Sequence, residues 1–113
     1  MNPVSDPTDP SADQPAADVL AGRAEAAAAF LKAMSHEGRL MILCHLTGGE
    51  KTVTELEALL GARQAAVSQQ LARLRDEGLV RARREGKAIH YAISDQRAER
   101  LIALVYEMFC REA

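Results

Sequence analysis

Three features of the 113-residue chain predict a mainly α-helical domain with a small β-hairpin, arranged as a winged helix-turn-helix. Two short amphipathic segments are separated by only Gly61 to Gln64. Directly after them, a basic stretch (Leu79 to Arg84) and an alternating one (Ala88 to Ile93) flank a glycine, Gly86. The rest of the chain after residue 15 carries apolar residues at helical spacing.

The composition sets the scale. A 48% hydrophobic content in 113 residues suits one compact domain, with little room for a second. A core that small gains from a partner copy. No apolar run reaches the roughly 18 residues of a membrane span, and Met1 to Asp6 has neither the basic start nor the apolar stretch of a signal peptide. The expected location is therefore cytoplasmic, where Cys44 and Cys110 rest as thiols. The formal net charge is −2, but it is unevenly spread. Asp6, Asp9 and Asp13 lie near the start, whereas Arg63, Arg73, Arg75, Arg81, Arg83, Arg84 and Lys87 face only Asp76, Glu77 and Glu85 between Arg63 and His90. A local basic patch attracts phosphates whatever the overall sign.

The elements follow in order. Residues 1–15 hold all four prolines and are expected to be a disordered tail, with the domain spanning 16–113. An alanine-rich first helix is predicted from Ala16 to Met34, with Val19, Leu20, Ala27, Phe30, Leu31 and Met34 recurring at helical spacing. Ser35 is the expected N-cap of a second helix, His36 to Leu46, which Gly48-Gly49 ends. A third helix starts at Thr54, where Thr54-Glu55-Leu56-Glu57 has the form of a capping box, and stops at Gly61. The fourth helix turns Val67, Leu71 and Leu74 inward and stops at Gly78. In the hairpin, Ile89, Tyr91 and Ile93 face one way and Ala88, His90 and Ala92 the other. Ser94 or Asp95 caps a last helix, Gln96 to Arg111, in which only Glu107 is charged from Leu101 to Cys110. A helix apolar nearly all round is buried on more than one side. The first and last helices are therefore expected to form a two-fold dimer interface.

The fourth helix presents Gln64, Ser68, Gln69, Gln70 and Arg73 away from its apolar face. Gln pairs with adenine, Arg with guanine, and Ser serves a base or a phosphate, while the helix N-terminus accepts a phosphate. Arg83, Arg84 and Lys87 in the wing, with His90 beside them, complete a polar face suited to phosphates and a minor groove. The implied partner is double-stranded DNA. A two-fold dimer would read an inverted repeat with half-sites about one helical turn apart.

No cofactor-binding loop, Cys/His dyad or carboxylate pair supports an enzyme. His36, His45 and His90 show no metal-ligand spacing, the third helix has neither Cys nor His, and the last helix has no His, so no metal or cofactor is expected. By residue type alone, Cys44 and Cys110 suit either small core positions or a reactive pair in which one thiol resolves the other.

Three segments resemble the ArsR family of winged-helix repressors: Ala33 to Leu40, Val53 to Leu56 and Ala66 to Val80. The resemblance spans roughly residues 18–111. It departs where the family often has His (here Gln70) and Pro (here Ala65), positions that bear on DNA contacts. It implies a dimeric repressor that leaves its operator on sensing an inducer. The stretches Arg39 to Leu46 and Tyr106 to Cys110 further resemble the persulfide-responsive BigR/SqrR subgroup. That likeness implies Cys44 and Cys110 as a redox-sensing pair, cross-linked by persulfide or polysulfide sulfur, and control of sulfide-oxidation genes. A metal(loid) or a general oxidant is the alternative inducer within the family, and a thiol-based persulfide-processing enzyme is the alternative from another class.

Overall fold

The computed structural model describes residues 10–110. The chain divides into two compact units between Lys32 and Ala33. The first unit holds α1 (Pro10–Ala21) and most of α2 (Ala24–Met34). One continuous helix was expected here, but it breaks at Gly22-Arg23. Arg23 N donates to Leu20 O, a tightened three-residue step, before the ladder resumes with Ala27 N donating to Arg23 O. Glycine in a helix interior costs about 1 kcal/mol relative to alanine, enough to place the break there. The expected tail, residues 1–15, falls only partly within the described residues. Residues 1–9 lie outside the described residues, but Pro10 to Pro15 belong to α1. Pro10 takes the first helical position, where its missing N–H has no partner to lose and its φ is already helical. Val19, Leu20 and Leu31 of this unit are exposed.

The second unit contains α3 (Glu37–Leu46), β1 (Lys51–Thr52), α4 (Val53–Leu60), α5 (Gln64–Asp76), β2 (Val80–Glu85), β3 (Ala88–Ile93) and α6 (Gln96–Phe109). Its core is built by Ile42 and Leu43 of α3, Leu56 of α4, Leu71 and Leu74 of α5, and Leu79 just before β2, all fully buried. Val67, Leu71 and Leu74 form the predicted inward strip of α5.

Two helix starts differ from expectation. The N-cap of α3 is His36, whose Nδ1 accepts from Gly38 N at 2.9 Å, rather than Ser35. The capping box of α4 lies two residues earlier than expected. Glu55 N donates to Thr52 Oγ1 (3.2 Å) and Thr52 N donates to the Glu55 carboxylate (2.8 Å). Both Thr-x-x-Glu frames exist in the sequence. The choice is tertiary, because Lys51 and Thr52 form a strand against β3 and deliver the chain to the helix at Val53. At the other end of α4, Gly61 adopts φ +63°, the left-handed conformation that a side chain would strain.

The hairpin forms as predicted, but β2 runs one residue further, so that Glu85 lies opposite Ala88, Arg84 opposite Ile89, Arg83 opposite His90 and Ala82 opposite Tyr91. Gly86, also at φ +63°, opens its two-residue turn. The sequence reading missed the third strand: β1 makes the antiparallel order β1-β3-β2 and puts β3 in the centre. A two-residue strand has no periodicity to detect. Of the two caps considered for the last helix, Asp95 is the one used, accepting from Arg97 N at 2.9 Å, and α6 ends at Phe109 with Cys110 as its C-cap. One side of α6 is covered within the chain, through Ala98 and Ile102, while Leu104, Tyr106, Met108 and Phe109 stand exposed.

Candidate nucleic-acid interface and thiol cavity

At 3.6 residues per turn, the polar positions of α5 fall into three strips. Gln64, Ser68 and Arg75 share one flank, four and seven residues apart, and all are exposed. Ala65, Gln69, Ala72 and Asp76 form the outermost strip, also exposed. Gln70 and Arg73 lie on the opposite flank with Ala66, and both are half-buried.

The first flank faces the wing. A shallow groove of about 430 Å³ is lined by Thr52, Val53, Thr54, Gln64, Lys87, Ala88 and Ile89. It brings the N-terminal ends of α4 and α5 together with the turn of the hairpin. Two predicted residues, Gln64 and Lys87, thus meet across one groove, and Thr54 joins them. Thr54 escaped the sequence reading because it was assigned to the helix cap. Gln64, Ser68, Gln69, Arg75, Arg84 and Lys87 make no side-chain hydrogen bond or ion pair among the described residues. Their polar groups remain available to a ligand. Arg75 was not singled out by sequence, although its seven-residue spacing from Ser68 was visible.

The other predicted residues are engaged. Arg73 Nε pairs with Glu77 at 3.4 Å, one helical turn on. Gln70 Oε1 accepts from Arg39 Nη1 at 2.9 Å. Arg83 is held most firmly. Its Nη2 and Nε donate to the two Glu50 oxygens at 2.7 and 3.2 Å, and its Nη1 donates to Glu85 at 3.1 Å. The hydrogen bond to Arg83 holds the Glu50 carboxyl below the usual carboxylate range, and the two carboxylates raise the Arg83 pKa in turn. His90 is half-buried on the central strand, between Thr52 and Arg83 in register, with Nε2 3.8 Å from Glu85. Arg83 therefore ties the wing to the segment preceding α4 across β3. The wing charges left unpaired near its turn are those of Arg84 and Lys87.

The second site is apolar. α3 packs on α6, and between them a cavity of about 100 Å³ is lined by Leu40, Met41, Cys44, Ile102, Val105, Tyr106 and Cys110. Helical spacing explains the membership. Leu40 and Cys44 are one turn apart on α3, as are Ile102 and Tyr106 on α6, and Cys110 follows one further turn on. Both cysteines are free thiols, Cys44 half-buried and Cys110 exposed. Two residues 66 positions apart in sequence thus border one small apolar space. Among the described residues, no three His, Cys, Asp or Glu side chains are grouped to hold a metal ion. Nor is any described helix long and apolar enough to cross a membrane.

Residues 36–82, from the cap of α3 to the start of the wing, match the model of the bacterial regulatory protein, arsR family. The biofilm growth-associated repressor of Agrobacterium fabrum is 48% identical over 88 residues, 78% of this chain and 75% of that protein. The chain belongs to the ArsR family. The fold agrees. The crystal structure of the transcriptional repressor BigR from Xylella fastidiosa superposes with a TM-score of 0.79 at 40% identity, covering 84% of this chain and 97% of that one. The homodimeric winged helix-turn-helix DNA-binding domain Mb0332 from Mycobacterium bovis gives a TM-score of 0.70 at 35% identity, over 79% of this chain and 82% of that one. This ArsR-family protein is therefore a transcriptional regulator with a winged helix-turn-helix, and its relatives are regulators rather than enzymes.

Proposed function

We propose that this chain is a dimeric repressor that releases operator DNA when Cys44 and Cys110 are joined by sulfur from a persulfide, and that it controls sulfide-oxidation genes. The observation that carries the reading is that both thiols border one apolar cavity of about 100 Å³. That is below the range of about 300–1,000 Å³ for a drug-sized ligand pocket, so the cavity suits a few atoms rather than a large inducer. The likeness to a biofilm growth-associated repressor supports the choice of repressor.

The chemistry balances with a persulfide as the only oxidant. Each thiolate attacks the outer sulfur of a persulfide RSSH, forming Cys–S–SH and releasing RSH. One cysteine persulfide then displaces hydrosulfide from the other, leaving a trisulfide bridge and H₂S. A plain disulfide requires Cα atoms within about 7 Å, whereas an added sulfur spans a wider gap. Ordinary oxidants supply no such atom, which gives the cavity a basis for discrimination.

DNA is read by α5 in a major groove through Gln64, Ser68 and Gln69, with Arg84 and Lys87 on backbone phosphates. Dimerisation covers Leu104, Tyr106, Met108 and Phe109 of α6, together with apolar residues of α1 and α2, and sets the two α5 helices on an inverted repeat. The bridge ties α3 to the end of α6, the helix placed at the dimer interface, and so changes the spacing of the two reading helices.

The test is an anisotropy titration on a duplex selected by the protein from a randomised pool, with intact-mass analysis. Glutathione persulfide should weaken binding by about a hundredfold or more, with added sulfur mass, and Cys44→Ser and Cys110→Ser should each abolish the response. Release without added sulfur, or an undiminished response in either variant, would overturn the reading.

A further inference from the structure

The flank of α5 carrying Gln70 and Arg73 faces away from the wing, and its role follows from Arg39. This arginine stands in the first turn of α3. Its Nη1 donates to Gln70 Oε1 at 2.9 Å, while its Nε donates to the carbonyl of Ala33 in the last turn of α2. A guanidinium presents its donors in one rigid plane, so two bonds in different directions hold three segments in one arrangement. We infer that Arg39 is a positioning residue for the reading helix, and that Gln70 serves as its anchor on α5 instead of reading a base.

Packing at this contact supports the assignment. A cavity of about 110 Å³ lies between the start of α3 and α5, bordered by His36, Gly38, Ile42, Ala66, Val67 and Gln70 among others. Apolar packing through Val67, Leu71 and Leu74 holds the inner face of α5, and at this less tightly packed edge the Arg39–Gln70 bond adds a directional contact. Gly38 keeps the approach narrow: a Cβ at that position would stand 3.7 Å from Gln70 Cγ and 3.1 Å from the His36 ring.

The charge arrangement points the same way. Burial lowers the Arg39 pKa, the neighbouring Arg73 lowers it further, and Glu77 opposes them. The neighbour that favours the Arg39 cation is the Glu77 carboxylate. Glu77 also pairs with Arg73 and so separates the two guanidinium groups electrostatically. For Gln70 the consequence is chemical. Reading adenine in two places requires Oε1 and Nε2 together at the base edge. Here Oε1 is turned toward Arg39, and the amide plane follows it.

The experiment is a double-mutant cycle on a duplex that the unmodified protein selects from a randomised pool, using the full chain and no persulfide, so that the thiol reading does not enter. Arg39→Met and Gln70→Met should each weaken binding by about tenfold, and the double variant should bind no more weakly than either single one. Base preference at every position of the duplex and the slope of log K against log salt should stay as in the unmodified protein. Arg39→Lys, which keeps the charge but loses the fork, should behave as Arg39→Met. A changed preference at any base pair in Gln70→Met, multiplying factors in the double variant, or full affinity in Arg39→Lys would each overturn the inference. Should Arg39→Met unfold, the Gln70→Met and Arg39→Lys measurements decide alone.

Discussion

The two ends of α3 serve different surroundings. Its first turn meets the polar flank of α5 through Arg39 and Gln70, where direction is set by hydrogen bonds. Its later turns meet α6 around Cys44, Ile102 and Cys110, where the neighbours are apolar and the enclosed space is small. The contrast teaches how one short helix serves both a reader and a candidate sensor. A guanidinium link transmits orientation, because its geometry is rigid. An apolar cavity tolerates a change in its contents, because dispersion contacts have no preferred direction. Polar side chains on the reading side divide likewise: Gln70, Arg73 and Arg83 are engaged within the chain, while Gln64, Ser68, Gln69, Arg84 and Lys87 are left for a ligand.

The largest expected effect removes the support common to both ends. Leu43 is fully buried on α3. Leu43→Ala should cost about 2–5 kcal/mol of unfolding free energy, lowering the denaturant midpoint and DNA affinity together. A loss confined to one end would show that the two are not joined through α3. Next in size is the start of α4. Thr52→Ala removes the capping box and should cost about 1 kcal/mol, whereas Thr54→Ala should stay within about 0.5 kcal/mol. Equal costs by urea denaturation would return the cap to the frame that the sequence also allows.

The engaged and available charges separate in their salt dependence. Arg84→Ala and Lys87→Ala should each flatten the slope of log K against log salt by about 0.9, the loss of one phosphate contact. Arg83→Ala should weaken binding while leaving the slope unchanged, since Glu50 and Glu85 already neutralise that guanidinium. A flattened slope in Arg83→Ala would place it on the phosphates after all.

The smallest effect concerns pH. Arg97 holds the Asp95 carboxyl below its usual range, chiefly by a hydrogen bond from its side chain. A carboxyl whose pKa is lowered on folding contributes stability that is fully present above the unfolded value, near 3.9, and is lost as pH falls through the folded one. Stability should therefore decline in acid below about pH 4, and Asp95→Asn should flatten that part of the profile. An unchanged acid limb in Asp95→Asn would assign the decline to other carboxylates.

The legible parts of the sequence were those with local causes. Val67, Leu71 and Leu74 repeat at helical spacing, Gly61 and Gly86 mark left-handed turns, and the alternation around Tyr91 gives a strand. These patterns determined the winged helix-turn-helix and the presence of its hairpin, because propensity, periodicity and turn chemistry act within a few residues. Tertiary structure decided the remainder. It selected Thr52 over Thr54 as the cap, since only pairing with β3 makes Lys51 and Thr52 a strand. It bound Arg83 to Glu50, 33 residues away, and Gln70 to Arg39, 31 residues away, engaging within the chain two side chains that the helix and wing patterns leave pointing outward. It also brought Cys44 and Cys110 to the border of one cavity. Such pairings depend on how separate elements pack, and side chains far apart in the chain leave no periodic trace of where they will meet.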